Sequence, residues 1–287
     1  MALDYDKILN WTFEDIEQSY AARDSIIYAL GLGLGFNPTD PDELAFVYEK
    51  GLQTFPTMPV VLGHPGAWMT NPETGIDFLK VLHGEQHLEI HKPLPVAGTI
   101  IARNRVTEIV DKGEGKGALI FVERKVFDQT GSDLLSTQLS VIFARGNGGF
   151  GGPVTTAPRP HPLPDRAPDA TIDIQTATQG ALLYRLSGDY NPLHADPEVA
   201  KRAGFDTPIL HGLASYGVAA RAVLQAVGGA ADVRLKSFGL RFSSPVYPGD
   251  MISTDIWREG SAVSFRSRVA ARDAVVLNNG IAVIEAE

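Results

Sequence analysis

The sequence predicts an α+β fold built from two copies of a helix wrapped by an antiparallel β-sheet. Three observations predict it: a pattern of residues that recurs in the two halves, a long apolar segment followed by β-rich runs at regular intervals, and a Gly/Pro-rich stretch between the halves.

The recurrence is seen at two places. Leu88-Glu89-Ile90-His91-Lys92-Pro93-Leu94, followed by Gly98, lies 152 positions before Leu240-Arg241-Phe242-Ser243-Ser244-Pro245-Val246, followed by Gly249. Both read as an alternating strand running into a Pro/Gly turn. Tyr28-Ala29-Leu30-Gly31 leads to Asn37-Pro38 and Asp40-Pro41, and Tyr184-Arg185-Leu186-Ser187 leads to Asn191-Pro192 and Asp196-Pro197. Asn-Pro and Asp-Pro are turn formers, so each half should carry the same pair of turns.

Within the second half, the segment from Pro208 to Val227 is too long and too uniformly apolar for a strand and reads as a buried helix. Val233 to Phe242, Met251 to Trp257, Ala262 to Ala271 and Ala274 to Ile284 follow as strands, separated by Gly, Pro or charged turns. In the first half, Gly117 to Asp128 and Asp133 to Ala144 are the matching late strands. From Gly146 to Ala170, clustered Gly gives way to repeated Pro, which interrupts helix and sheet alike. The expected organisation is an N-terminal repeat over 1–145, a linker over 146–170 that is extended and stiff in its Pro-rich part, and a C-terminal repeat over 171–287.

Of the 287 residues, 44% are hydrophobic and 21% charged, the balance of a globular protein with a sizeable core. There is no cysteine, which excludes disulfides, thiolate metal sites and cysteine nucleophiles. A formal charge of −9 without a dense Lys/Arg run argues against nucleic acid as a partner. No run approaches the roughly 18 apolar residues of a membrane span, so no membrane partner is expected. Met1 to Asn10 is unlike a secretory signal and Val283 to Glu287 lacks a peroxisomal Ser-Lys-Leu address, so the expected location is the cytoplasm.

The stretch richest in chemistry is YRLSGDYNPLHADPEVAKRAGFDTPILHGLASYG, from Tyr184 to Gly217. It places Asp189, Asn191 and His194 within six residues, and Asn191-Pro192 forces them onto an irregular loop. Such a loop can aim a carboxylate, an amide and an imidazole at one small volume. Seventeen residues after His194, His211-Gly212 stands at an expected helix start, where free N–H groups and partial positive charge attract anions and a glycine lets a ligand approach.

This run resembles the hydratase 2 motif of MaoC-like enzymes. HGEQHLEIHKPLPVAG, from His83, resembles the first-half signature of the hydratase part of peroxisomal multifunctional enzyme type 2. The resemblance covers essentially the whole chain and implies a double hot-dog fold. It implies reversible hydration of trans-2-enoyl-CoA to (3R)-3-hydroxyacyl-CoA, catalysed by Asp189, Asn191 and His194 with the Gly212 N–H as oxyanion hole. It further implies substrate contacts from His83, Gly84, Lys112, Tyr190, Pro192, Leu193 and Phe242. Around Leu34 to Asp40 the first half has no counterpart of His194 and no acid at the place of Asp189, so one active site per chain is expected. In the family the degenerate half makes room for the acyl group. The implied partner is an acyl-CoA thioester, with no metal or redox cofactor, and a homodimer is the expected assembly.

Two other activities fit the same resemblance: an acyl-CoA thioesterase, recognised by release of free CoA thiol, and a non-catalytic acyl-CoA-binding subunit, recognised by binding without turnover. Other patterns carry less. His83, His87 and His91 share the parity of one strand face, but a spacing of four separates them by roughly 13 Å along a strand, too far for a shared metal. Gly31, Gly33 and Gly35 lack the spacing and βαβ context of a dinucleotide loop.

Overall fold

The computed structural model describes residues 3–153 and 156–286; Val154 and Thr155 of the expected linker, and Met1, Ala2 and Glu287 at the ends, lie outside the described residues. In chain order the helices are α1 (Tyr5–Leu9), α2 (Ala22–Gly31), α3 (Pro41–Leu44), α4 (Gly180–Tyr184), α5 (Pro197–Arg202) and α6 (Gly212–Val227). The strands are β1 (Ile16–Tyr20), β2 (Val81–Ile90), β3 (Gly98–Asp111), β4 (Ala118–Asp128), β5 (Leu134–Ala144), β6 (Ala170–Gln175), β7 (Val233–Phe242), β8 (Met251–Glu259), β9 (Ala262–Val269) and β10 (Ala274–Ala286). All ten form one antiparallel sheet in the order β1-β3-β4-β5-β2-β7-β10-β9-β8-β6. Each half contributes five strands in the same relative order, mirrored about the β2–β7 seam, and the protein is an α+β double hot-dog. Among the described residues no helix is long and apolar enough to cross a membrane.

The seam carries the duplication. His87 pairs with Gly239, its own counterpart 152 positions on, so the pseudo-twofold axis passes through that pair. Gln86 faces Leu240 and Leu88 faces Phe238 symmetrically about it. The axis demands asymmetry of size: a Cβ on Gly239 would stand 2.3 Å from His87 Nδ1, so the imidazole needs a glycine opposite. Tyr28 and Tyr184, aligned by the repeat, also meet, with ring centroids 5.8 Å apart.

The recurring turns are built alike. Asn37 Oδ1 accepts from the Thr39 N–H at 3.3 Å, and Asn191 Oδ1 accepts from the Leu193 N–H at 3.0 Å. Asp40 and Asp196 then cap α3 and α5, each with proline in the first turn. These are local bonds, which is why they are legible in sequence.

The halves differ in what fills the sheet. In the second, α6 packs on β6 to β10 and is buried from Ala214 to Leu224 except at Arg221. It begins at Gly212 rather than at Pro208, because the Leu210 N–H pairs with the Val246 carbonyl at 2.7 Å and holds 208–211 extended. In the first half the apolar run Phe55–Leu62 forms only a 3₁₀ turn at Met58–Val61 within coil. Coil in a core leaves carbonyls without helical partners. Inward-facing side chains of the sheet supply them: Arg124 donates to Val60 O at 3.2 Å and Leu62 O at 2.9 Å, Gln138 to Pro59 O at 2.7 Å, and Asn104 to Gly63 O at 3.3 Å. Arg124 is also tied to Asn104 Oδ1 and Gln138 Oε1. Gly63, at φ +63°, lets this coil press on β3, where a Cβ would fall 2.1 Å from that of Ala102.

The described parts of the linker are tied to both halves. Asp111 accepts from the Gly149 and Gly151 N–H groups, His161 bonds Ser264, and the Asn279 amide donates to His161 O. Strands β1, β3 and β6 add to those expected from sequence; in β3 the inward polar residue Asn104 and the bulge near Val106 break the simple alternation that marks a strand.

Arg124→Met should strip the coil carbonyls of their donor and lower stability by about 2–4 kcal/mol. Urea unfolding checks this, and a midpoint matching that of the wild type would show that the Arg124 bonds are not what holds the coil.

Candidate active site

Asp189, Asn191 and His194 come together on the loop between α4 and α5, against the start of α6. Asp189 Oδ1 accepts from the Asn191 N–H at 3.1 Å, an Asx turn that presents the rest of the carboxylate at the exposed rim. Asn191 Oδ1 is committed to the Leu193 N–H, capping the 3₁₀ turn Pro192–His194; its NH₂ group remains for a ligand. His194 is buried, with its Nδ1–H donating to Ile209 O at 2.9 Å. That bond assigns the tautomer and leaves a lone pair on Nε2.

Gly212 is the first residue of α6, so its N–H has no carbonyl within the helix and stands at the positive end of the dipole. A Cβ on Gly212 would lie 3.3 Å from the Phe242 ring, and that ring in turn meets the His83 ring, with centroids 4.9 Å apart and planes tilted by 55°. The expected contacts Gly212, Phe242 and His83 therefore form one continuous wall. Gly84 follows at a break in register, where a Cβ would come 3.8 Å from that of Phe143. Lys112 lies over the Phe143 ring at 4.8 Å, joined to this wall through Phe143 rather than set against the Asp189–His194 loop. Tyr190 is exposed, with the Arg185 guanidinium over its ring at 4.9 Å, and Pro192 and Leu193 complete the 3₁₀ turn.

One expectation needs correction. His83 does not share a face with His87 and His91. The register shift between His83 and Glu85 inserts an extra residue at Gly84, which reverses the alternation and turns His83 towards Phe242. His87 stays on the other face, hydrogen-bonded to Glu85, and β2 ends before His91.

Sequence reasoning placed His211 at the helix start but gave it no part in the site. Its ring stacks on His194, with centroids 3.8 Å apart and planes 26° apart, and its Nε2–H donates to Asp189 O at 3.1 Å. Asp189, His194 and His211 offer ligating atoms within 4.8 Å of one another, a set that in another geometry would hold a divalent ion. Here Nδ1 of His194 and Nε2 of His211 carry protons donated to Ile209 O and Asp189 O, so each ring has a single nitrogen left to offer. His64 was also missed; it comes from the first-half coil and lies near enough to Asp189 to sense its charge.

Burial keeps the site's imidazoles neutral. Desolvation lowers the pKa of His83 to about 4, against an opposing bond from the Glu85 backbone. It lowers His64 to about 4 as well, assisted by the Arg124 charge. His194 is lowered by burial, with Ile209 O and the Asp189 carboxylate opposing. His211 is lowered by burial and by the adjacent His194.

These shifts carry a prediction about folding. A histidine held neutral in the fold but free to protonate when unfolded contributes its full share above pH ~6.5, and that share is lost as pH falls towards ~4. His83 and His211 should each steepen the loss by up to about 1.4 kcal/mol per pH unit. Urea midpoints between pH 7.5 and 5 should therefore fall continuously, and less steeply in His83→Phe; an unchanged midpoint across this window would contradict the buried neutral state.

Two families match the chain. The MaoC like domain matches residues 160–279, and the MFE-2 hydratase 2 N-terminal domain matches residues 18–146. The chain is 40% identical over 290 residues to the 3-hydroxyacyl-thioester dehydratase Y of Mycobacterium tuberculosis, with 98% of each chain covered. It is 39% identical over 269 residues to the peroxisomal multifunctional enzyme type 2 of Mus musculus, which covers 91% of this chain but 36% of the mouse protein. The crystal structure of a MaoC-like dehydratase from Phytophthora capsici superposes with a TM-score of 0.84 at 38% identity, covering 98% of this chain and 99% of that one. Matched in both halves and over its whole length, the chain belongs to the MaoC-like hydratase 2 family.

Proposed function

We propose that the chain is a hydro-lyase that reversibly hydrates trans-2-enoyl-CoA to (3R)-3-hydroxyacyl-CoA. The observation that carries this reading is the convergence of an exposed carboxylate, an imidazole with a free Nε2, and a helix-terminal N–H at Gly212. Relatives named 3-hydroxyacyl-thioester dehydratase and enoyl-CoA hydratase 2 support it.

A trans-2-enoyl thioester is electrophilic at its third carbon because charge can move to the thioester oxygen. The Gly212 N–H, at the positive end of α6, is suited to stabilise that enolate oxygen, a contribution of about 3 kcal/mol for one such donor. Water bonded to the Asn191 NH₂ group adds to the third carbon. One proton leaves the water and one reaches the second carbon, and Asp189 with His194 Nε2 handle both transfers as a coupled pair. The reaction balances with water alone and calls for no redox or metal group.

His83, Gly84, Phe242 and the Tyr190–Leu193 turn would line the thioester and acyl path, with Lys112 outward for the phosphates of CoA. The first half, where coil replaces the long helix, would receive the acyl group. A homodimer is the proposed assembly.

With crotonyl-CoA and then a decenoyl-CoA, loss of the enoyl-thioester absorbance and chiral analysis should show the 3R alcohol. Asp189→Asn and His194→Ala should each lower kcat about 10²–10⁴-fold in a folded protein. Release of free thiol instead of the alcohol would replace this reading with a thioesterase.

Gly212→Pro, which deletes the N–H at a position where proline fits a helix, should lower kcat about 10²–10³-fold. Gly212→Ala keeps the N–H and controls for contact with Phe242. Equal losses in the two variants would assign the effect to crowding and remove the oxyanion role.

A further inference from the structure

The segment Ile209–Gly212 touches both Asp189 and His194 and opens α6. Ile209 O holds His194 Nδ1–H, Gly212 presents its N–H, and between them His211 contacts both other groups. Its Nε2–H is bonded to the Asp189 carbonyl, 22 residues away in sequence, and its ring lies face to face with that of His194. Tyr184 packs against the His211 ring as well, with centroids 5.1 Å apart and planes tilted by 48°, and His211 is 1% exposed.

We propose that His211 is a positioning residue for the hydration: its Nε2–H fixes the Asp189 backbone while its ring fixes the plane of His194. The carboxylate, the reactive Nε2 and the Gly212 N–H are thereby held in one register. This rests on the hydratase reading for its kinetic consequences but not for its structural ones.

The hydrogen bond assigns the state of the ring. With the proton on Nε2, the Nδ1 atom carries a lone pair; it is buried and has no hydrogen-bond partner among the described residues. Protonating it would create a buried N–H without an acceptor, with its charge 3.8 Å from a second imidazole. His211 therefore stays neutral while His194 exchanges protons, and it shields His194 from water. The titratable and charged groups around the pair are Asp189, Arg185 and Tyr184, with His64 beyond Asp189; Tyr184 is pushed far above the ordinary tyrosine value by burial and remains neutral. A polar side chain whose polar atoms served packing alone would not be set with one nitrogen on the catalytic carboxylate's own residue and the other vacant.

Three variants separate the two contacts. His211→Phe keeps an aromatic face on His194 but loses the donor to Asp189. His211→Gln keeps an amide donor but loses the ring. His211→Ala loses both and admits water. His211→Phe should lower kcat between about tenfold and a hundredfold with KM nearly unchanged, as expected for misplaced groups, and His211→Gln should recover part of that loss.

In ¹⁵N-resolved NMR of the resting protein, His194 should titrate below its ordinary value as the Nδ1–H tautomer. That titration should stay low in His211→Phe and rise towards the ordinary value in His211→Ala, carrying the acid limb of kcat/KM with it. Wild-type kcat in both His211→Phe and His211→Ala, or a loss confined to KM, would overturn the proposal, as would an unmoved His194 titration in the alanine variant. If the wild type does not hydrate enoyl-CoA yet the NMR shifts occur as stated, the positioning role stands and the hydratase reading falls.

Discussion

A polar backbone group taken out of water must find a partner inside the protein, and the two halves meet that requirement differently. The second half uses α6, whose interior satisfies itself and whose small, apolar surface can be buried on all sides. The first half buries coil at the same place, and its carbonyls are met by Arg124, Gln138 and Asn104 reaching in from the sheet. A buried guanidinium is costly to desolvate, and burial pulls its pKa down to about 10, still well inside the charged range at neutral pH. Hydrogen bonds donated by Arg124 to Asn104 Oδ1, Val60 O, Leu62 O and Gln138 Oε1 offset that cost and tie the coil to three strands.

The consequence for the site is a division of labour. A helix starting at Gly212 brings a free N–H and a dipole to one point, and only the second half has such a helix. The loop equivalent to the catalytic one in the first half is instead locked. Glu43 accepts from the Gly35 and Asn37 N–H groups and pairs with Arg221 of α6, which also donates to Gly33 O. The same Asn-Pro turn thus supports chemistry in one half and ties the halves together in the other.

The active loop is itself held by contacts that cross the sequence. Asp189 and Asn191 are committed locally, through turn and cap bonds. His194 is oriented by Ile209 and His211, and His83 reaches the same wall from the opposite half through Phe242. Burial of these imidazoles, rather than any one charge, sets their protonation, with the Asp189 carboxylate acting in the opposite direction on His194, His211 and His64.

The features legible in the sequence were those made by short-range bonds. The Asn-Pro and Asp-Pro turns, the strand Val233–Phe242 and the grouping of Asp189, Asn191 and His194 all follow from residues a few positions apart, and the recurrence over 152 positions marked two matching strand-and-turn segments, whose pairing as β2 and β7 only the sheet showed. Other features depended on partners distant in the chain. The bulge at Gly84 exists only relative to β5, so the facing of His83 could not be read from parity. Pro56 and Pro59 already keep Phe55–Leu62 from forming a regular helix, but the donors from β3, β4 and β5 that satisfy its carbonyls come from far along the chain. By itself the sequence determined the repeat, the strand-rich class and the loop of reactive groups, because turn and capping bonds close within a few residues. Tertiary structure alone decided which nitrogen of His194 is free, that His211 stacks upon it, and which way His83 faces, because those outcomes require hydrogen bonds and packing between segments that meet only in the folded chain.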